Sequence, residues 1–552
     1  MNEVKTKIYY PLNFKPRKQQ LEMLNFTADS INHAKKFILL NAPTGIGKSF
    51  YTTMFINWYL NNIHQNAKFD IITNSKVLQE QYVKDFKFIC NLKGRSNYRC
   101  DKFDTDCEKG MELCTALKKT CNECPYIKYR EAWIKAQIGL TNFHLFNTFA
   151  MYSGDKLNKK DCEARVLIID EAHDFESVFS NFITVKISAK LLKKYGFVAK
   201  EIEEIDLRIS KLNTLDKFIN FLKLFFLQKI EKLYVKFEKE INSGVNNKRN
   251  IEITKYMTYI KGQKEKFKNF INDYESKSKN ENIDPRENWV LDIDKNNKNT
   301  FGSGIELTIS PVWVNKYLPK YIWDKFDHVI FMSGTILNKK MFSFINGLNP
   351  KITSFMSMDS PFKIKNRPVY YIKCGKMTYN EKKETFKNQK KYIKKIIEKH
   401  KKDKGIIHTT TYEFSKWIQD SIFNKRLIFH ENSDRQDRLE QHLNSNKSTI
   451  MVSPSMHTGI DLKDNLSRFQ IIMKIPYPNI SSNKIKKRQK TNQEWYNWKT
   501  MVDLIQALGR SVRSDDDYAI SYILDSSLSS LLKYNGHLIP RYITNAIKEI
   551  KN

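Results

Sequence analysis

The sequence is poor in the residues that break or loosen a chain: 14 prolines and 18 glycines in 552 residues leave little for disordered tracts and exclude a low-complexity scaffold. It also lacks a long apolar run. The greasiest stretch, Phe218 to Ile230, is short and broken by Lys223 and Lys229, and Met1 to Tyr10 has no apolar core, so neither a membrane span nor a secretory signal is expected. The expected location is intracellular, in the cytoplasm or nucleoid, or in a host cytoplasm if the gene is viral. Acidic residues are scarce as well: 60 Asp and Glu face 94 Lys and Arg, a formal net charge of +34. That excess predicts attraction to a polyanion, nucleic acid first, because each neutralised phosphate releases condensed counterions. A coding bias toward Lys, Asn, Ile and Tyr gives the same excess with many lysines merely solvating the surface, so charge alone assigns no function.

What is present is material for several cores. With 41% hydrophobic and 13% aromatic residues, the chain is too long for one compact interior, and three or four domains are expected. Two regions alternate short β-type apolar runs with helix-like segments, the pattern of a doubly wound parallel sheet. One covers about residues 1 to 175 and rejoins near 300 to 350, with strands at Phe37 to Leu40, Asp70 to Thr73, Val166 to Ile169 and Val329 to Met332. The other covers about 360 to 552, with strands at Gly405 to His408, Thr449 to Val452, Gln470 to Met473 and Ala519 to Leu524. Phe175 to about Thr300 has long helical periodicity with an Asn/Lys-rich loop at Asn242 to Asn250, and reads as a helical insertion in the first lobe. No internal repeat is found.

After the first strand comes Ala42, Pro43, Thr44, Gly45, Ile46, Gly47, Lys48, Ser49 and Phe50, running into a helix. This is a phosphate-binding loop: glycines let backbone N–H groups close around phosphate at a helix N-terminus, Lys48 reaches the β and γ phosphates, and the Ser49 hydroxyl ligates Mg2+. Ala42 stands where the usual first glycine would be. A second apolar strand ends in Asp170-Glu171-Ala172-His173. An acidic turn there is by itself most often a helix cap. Beside Lys48 it reads as the partner site, Asp170 holding Mg2+ through water, Glu171 polarising the attacking water, and His173 linking the nucleotide to the rest of the lobe. Near the C-terminus, Arg510 and Arg513 stand at helical i,i+3 spacing after Gln506, so both guanidinium groups face one side. In isolation that is a solvated basic face; with a nucleotide loop elsewhere in the chain it reads as a pair of arginine fingers from a second lobe.

Of eight cysteines, five crowd together, at Cys100, Cys107, Cys114, Cys121 and Cys124. In a reducing compartment such crowding points to a metal centre rather than disulfides. Cys121 and Cys124 form a tight CxxC pair; a zinc or an iron–sulfur centre takes such ligands. Cys90, Cys162 and Cys374 are expected as ordinary buried thiols.

In this order the motifs resemble those of superfamily 2 helicases of the XPD/DinG-like, iron–sulfur DEAH-type group, and the resemblance runs along nearly the whole chain. By that resemblance Arg17 and Gln20 sense adenine, and Thr73 with Leu78 and Gln81 forms the first DNA-contacting motif. Ser333-Gly334-Thr335 couples hydrolysis to movement. Gly405 to Thr411, with Thr409, is similar to motif IV, Gly459-Ile460-Asp461 to motif V, with Gly459 and Asp461 at the nucleotide, and Gln506 to Arg513 to motif VI. Ser360-Pro361-Phe362 and Lys474 to Pro478 resemble further stretches of the group, and Asn142 and His144 fall in a segment beside its DNA path. On residue chemistry alone Asn142 is a turn cap and His144 a satisfied core histidine.

The resemblance implies two RecA-like doubly wound lobes with an iron–sulfur insertion and a helical arch-like insertion in the first. The expected boundaries are 1–90, 141–175 and 301–358 for lobe 1, 91–140 for the cluster domain, 176–300 for the arch and 359–552 for lobe 2. It implies a [4Fe-4S] cluster on four of the five cysteines, Cys100 first and Cys124 last, and leaves the two middle ligands open; the tight CxxC spacing ranks Cys121 first among them, with Cys107 and Cys114 not separated. Zinc is the alternative. It implies ATP and Mg2+ as further cofactors, and a monomer that moves 5′ to 3′ on single-stranded DNA and opens forks, with repair or replication proteins as accessory partners. Rival readings are a DNA-stimulated translocase that remodels complexes without unwinding, and a nucleic-acid-binding scaffold with a dead nucleotide site. The latter fits poorly with the presence of Lys48, Asp170, Glu171, Arg510 and Arg513 together.

Overall fold

The computed structural model describes residues 15–117, 123–152, 162–243, 247–276, 285–299, 302–454, 464–509, 512 and 517–550. Its frame is two seven-stranded, all-parallel sheets. Across the first sheet the order is Thr353–Ser357, Phe37–Asn41, His328–Ser333, Arg165–Asp170, Lys68–Thr73, Ile138–Asn142 and Cys90–Asn91. Across the second it is Leu427–Ile428, Ile450–Ser453, Gly405–His408, Phe469–Ile472, Ile520–Ile523, Val369–Ile372 and Ile547–Ile550. The chain therefore leaves one sheet at Ser357 and enters the other at Val369.

The first sheet is covered on both faces, and the period of two along each strand divides its side chains cleanly. Ile38, Leu40, Ile71, Ile168 and Ile330 point into one core, with Met23, Tyr51 and Phe55 from the helices Lys18–Asn32 and Lys48–Asn62. Phe37, Leu39, Ile72, Leu167, Ile169 and Phe331 point the other way, toward Phe143, Phe175 and Trp323. Each fully buried aliphatic or aromatic side chain contributes about 1.5–3 kcal/mol of transfer free energy, which explains why these strands read as unbroken apolar runs. A buried ion pair, Arg165 Nε to Asp70 Oδ2 at 2.7 Å, ties the two central strands.

Three expectations need correction. The insertion in the first lobe is not only helical. Besides long helices such as Leu227–Asn242 and Asn247–Glu275 it carries a three-stranded antiparallel sheet in which Gly302–Pro311 lies between Val185–Ser188 and Trp289–Asn299. Gly302–Pro311 thus pairs within the insertion and not in lobe 1, while Ile138–Asn142 and Cys90–Asn91 belong to the first parallel sheet and bracket the cysteine-rich segment more narrowly than 91–140. Third, Cys90 and Cys162 are only half-buried, unlike Cys374, whose thiol burial pushes up to about 12. Among the described residues no helix is long and apolar enough to cross a membrane.

Candidate nucleotide site and its surroundings

The strand Phe37–Asn41 ends in a turn that the chain makes with two left-handed glycines, Gly45 (φ 90°) and Gly47 (φ 88°), before the helix Lys48–Asn62 begins. Neither position has room for a side chain. A Cβ on Gly45 would run into the Phe362 ring and one on Gly47 into the Gln20 amide, so the loop is held by close contacts as well as by its dihedrals. Gln20, fully buried, donates through Nε2 to Gly47 O at 3.1 Å and accepts from Arg17 N–H at 2.9 Å, while the Arg17 guanidinium donates to Gly45 O. Ile46 anchors the loop in the core, Pro43 is buried, and Thr44, Lys48, Ser49 and Phe50 are half-buried around its rim, with Phe50 edge-on to Phe86 at 5.1 Å.

Two strands away, Arg165–Asp170 delivers the acidic turn to the same edge. Asp170 is 4% exposed, and burial pushes its carboxyl up to about 6 against the pull of Lys48. One carboxylate oxygen accepts from Glu171 N–H at 2.9 Å, the other from the Tyr82 hydroxyl at 3.1 Å. Glu171 takes the left-handed conformation (φ 55°), uncommon for a residue with a Cβ, and Lys48 Nζ lies 3.8 Å from its Oε1. Ammonium, buried carboxylate and second carboxylate thus converge at one strand edge above a helix N-terminus, a donor set that fits a triphosphate with a divalent cation.

The second lobe reaches this turn. Gln506, on the helix Gln493–Leu508, donates to Thr335 Oγ1 at 2.8 Å and stands 3.4 Å from His173 Nδ1, which shares a hydrogen bond of 2.9 Å with Ser333 Oγ. On the same helix Trp498 donates to Ile336 O at 3.0 Å. Deeper, Arg488 clamps Glu176 at 2.6 Å, lying between the rings of Trp313 and Trp495 at 4.7 and 4.9 Å. Gly459, Asp461, Arg510 and Arg513 lie outside the described residues.

The expected DNA contacts divide. Gln81 is exposed on the helix Lys76–Asp85 and His144 is exposed edge-on to Phe182 at 5.4 Å, so His144 is not a core histidine. Asn142 Oδ1 caps the following helix through Leu145 N–H at 2.9 Å, the local role its chemistry suggested. Thr73 and Thr409 are both fully buried here, and the Thr409 hydroxyl is engaged by Ser415 Oγ at 2.7 Å and Thr411 O at 3.2 Å. Sequence reading missed Tyr82, one position past Gln81 in the buried phase of its helix, and Asn41, whose Oδ1 accepts from Ile336 and Leu337 N–H and so ties the phosphate-loop strand to the Ser333 to Thr335 turn.

Cys100, Cys107 and Cys124 pack together as free thiols, 3%, 1% and 8% exposed, with a hydrogen bond between the Cys107 and Cys124 side chains and the Cys107 thiol raised by burial. Cys107 and Cys114 share the helix Cys107–Ala116, in which Gly110 makes room: a Cβ there would press on Cys100 Sγ at 2.5 Å. Cys114 is half-buried and Cys121 lies outside the described residues. Among the described residues no group of three or more ligand side chains is arranged around a metal position. In residue type and burial, however, the three thiols suit a sulfur-ligated centre.

Comparison with known proteins agrees with this geometry. A family model for the helicase C-terminal domain matches residues 386–546, and one for the res subunit of type III restriction enzymes matches 13–199. A staphylococcal (Staphylococcus saprophyticus) protein named 3′-5′ exonuclease DinG is 22% identical over 93% of this chain and 68% of its own length. The ATP-dependent DNA helicase CHL1 of Kluyveromyces lactis is 24% identical over 75% of this chain, which spans 58% of that relative. A probable ATP-dependent helicase of Methanocaldococcus jannaschii is 21% identical over 98% of this chain and 96% of its own. Among solved structures, an XPD helicase superposes with a TM-score of 0.64 at 15% identity over 97% of this chain and all of the other. With both lobes, the phosphate loop, the acidic turn and the Gln506 bridge in place, the two family-model matches and these relatives support an XPD/DinG-like superfamily 2 helicase.

Proposed function

We propose that this chain is a monomeric motor that hydrolyses ATP between its lobes, moves 5′ to 3′ along single-stranded DNA and opens forked duplex. The observation that carries the reading is Gln506, a second-lobe side chain bonded to Thr335 and beside His173 of the first. Arg510 follows Gln506 by four residues in the sequence, and the finger roles of Arg510 and Arg513 are assigned by the family resemblance. In this reading Lys48 and the loop amides bind the β and γ phosphates, Glu171 takes the proton of the attacking water, and Arg510 and Arg513 stabilise charge on the transferred phosphoryl group. Ser49 and Asp170 would hold Mg2+, which supplies charge neutralisation there. Arg17 and Gln20 brace the loop and are placed to read the base, and Gly459 and Asp461 are assigned to the nucleotide by the family resemblance alone. The +34 charge suits a grip on phosphates rather than bases, with Gln81 and His144 the exposed candidates along the strand. Both lobes lie in one chain, which supports action as a monomer.

We further assign a [4Fe-4S] cluster to Cys100, Cys107, Cys124 and one of Cys114 or Cys121; it would supply a rigid cross-link for the segment that projects from lobe 1. Strand displacement on 5′-tailed and 3′-tailed forks tests the whole reading. Opening of the 5′-tailed fork alone is expected. DNA-stimulated hydrolysis without displacement of either strand would make the protein a remodelling translocase, and opening of the 3′-tailed fork alone would reverse the polarity.

A further inference from the structure

The segment from Asn74 into the helix Lys76–Asp85 touches the acidic turn at two points that the hydrolytic scheme does not use. The strand Lys68–Thr73 leads into Asn74, and Ser75 Oγ caps the helix by accepting from Leu78 N–H. Asn74 Nδ2 donates to Asp174 Oδ2 at 2.6 Å, and Asp174 Oδ1 in turn lies 3.5 Å from His173 Nε2. Two turns along, Tyr82 is 1% exposed, its hydroxyl donating to Asp170 Oδ2 at 3.1 Å and lying 3.4 Å from Thr52 Oγ1 on the phosphate-loop helix. One short segment therefore holds both ends of the turn Asp170 to Asp174. Its other face, with Lys76, Val77, Glu80, Gln81 and Lys84, is open to solvent or partly so.

We propose that Tyr82 is a positioning residue for the Asp170 carboxylate, and that Asn74 to Tyr82 is a brace through which occupancy of the helix's exposed face reaches the nucleotide site. The inference rests on the ATPase reading above and deepens it. Asp170 Oδ1 is held by the N–H of its own neighbour, so the Tyr82 hydroxyl is the contact that fixes how the carboxylate is turned about its last bond. Orientation matters here because Mg2+ demands near-octahedral geometry and tolerates a misaligned ligand poorly. The brace is stiff, since a capped helix moves as a unit over two turns, and a displacement at Asn74 or on the exposed face is carried to Tyr82. Tyr82 also meets the helix that starts at Lys48, so the hydroxyl registers the acidic turn against the phosphate loop.

The test uses the full chain with Tyr82→Phe, which removes one oxygen and keeps the ring, and Asn74→Ala. Mg2+ is titrated against binding of a fluorescent non-hydrolysable ATP analogue without DNA, and separately against hydrolysis with single-stranded DNA. Tyr82→Phe is expected to need about tenfold more Mg2+ in both titrations, the size expected for losing a hydrogen bond to a charged acceptor, with metal-free analogue binding and melting temperature as in wild type. Asn74→Ala is expected to lower the ratio of DNA-stimulated to basal hydrolysis. A folded Tyr82→Phe protein with the wild-type Mg2+ requirement overturns the positioning role. If that variant does not fold, Asn74→Ala decides, and an unaltered stimulation ratio overturns the brace. Failure of the wild-type chain to bind the analogue at all would instead sink the ATPase reading, whatever Tyr82 does.

Discussion

Replacing Arg488 with methionine would break a buried ion pair between the lobes. The guanidinium donates to Glu176 Oε1 at 2.6 Å and to Val312 O at 2.5 Å, and both charged side chains are under a tenth exposed, at 5% and 8%. Glu176 stands on the helix Phe175–Ile183, directly after the acidic turn, and Arg488 on the second-lobe helix Asn483–Thr491. Methionine keeps much of the packing between Trp313 and Trp495 but leaves Glu176 buried without its hydrogen-bonded ion-pair partner, with only the more distant charges of Lys484 and Lys499. Breaking a buried pair in this way typically costs about 3–5 kcal/mol. At roughly 2–4 °C per kcal/mol for a unit of 150–250 residues, the melting temperature should fall by roughly 6–20 °C in a thermal scan. Adding Glu176→Gln should restore part of the loss, because no unpaired charge then remains. The sign with pH is also fixed. Burial, the largest single influence, raises the Glu176 carboxyl, but the charge and hydrogen bond of Arg488 together with the charges of Lys484 and Lys499 outweigh it and hold the group below the usual carboxylate range. The clamp's stabilisation is therefore complete above about pH 4.3, the unfolded value, and is lost as pH falls through the lower folded value. An Arg488→Met protein that melts with the wild type, or a double variant less stable than either single one, would refute this reasoning.

Other outcomes follow from the site. Lys48→Ala should abolish ATP hydrolysis while leaving salt-sensitive binding of single-stranded DNA largely intact, as measured by phosphate release and by fluorescence anisotropy across a salt series. Gln506→Ala removes the bond to Thr335 and should lower kcat about tenfold or more with little change in the KM for ATP, since the contact serves closure rather than nucleotide affinity. Cys124→Ser, purified without oxygen, should be depleted in iron and sulfide; stoichiometric zinc in the wild-type protein would contradict the cluster.

The parts of the molecule that were legible in its sequence are those where burial forces a simple pattern. Central strands such as Phe37–Asn41 and Arg165–Asp170 are covered on both faces and so appear as apolar runs, and the phosphate loop shows itself through the two glycines its dihedrals require. Edge and near-edge strands were not legible: Ile547–Ile550 keeps Lys548 and Glu549 exposed, and Ile138–Asn142 mixes Gly, Thr and Asn into a strand. The antiparallel sheet of the insertion was hidden because Trp289–Asn299 becomes polar beyond Ile293. Contacts that depend on tertiary approach, such as Glu176 with Arg488 or Tyr82 with Asp170, left no local signature at all. The burial of Thr73 and Thr409 was hidden for a related reason, since position in a motif does not say which way a side chain turns.

The central claim is that one ATP is shared by two lobes, and Arg510→Ala tests it most directly by separating binding from turnover. The variant should bind the fluorescent ATP analogue with nearly wild-type affinity and lose hydrolysis by about a thousandfold or more, as removal of an arginine finger does. Wild-type turnover by Arg510→Ala in the presence of single-stranded DNA would contradict it, because the first lobe would then be hydrolysing ATP alone.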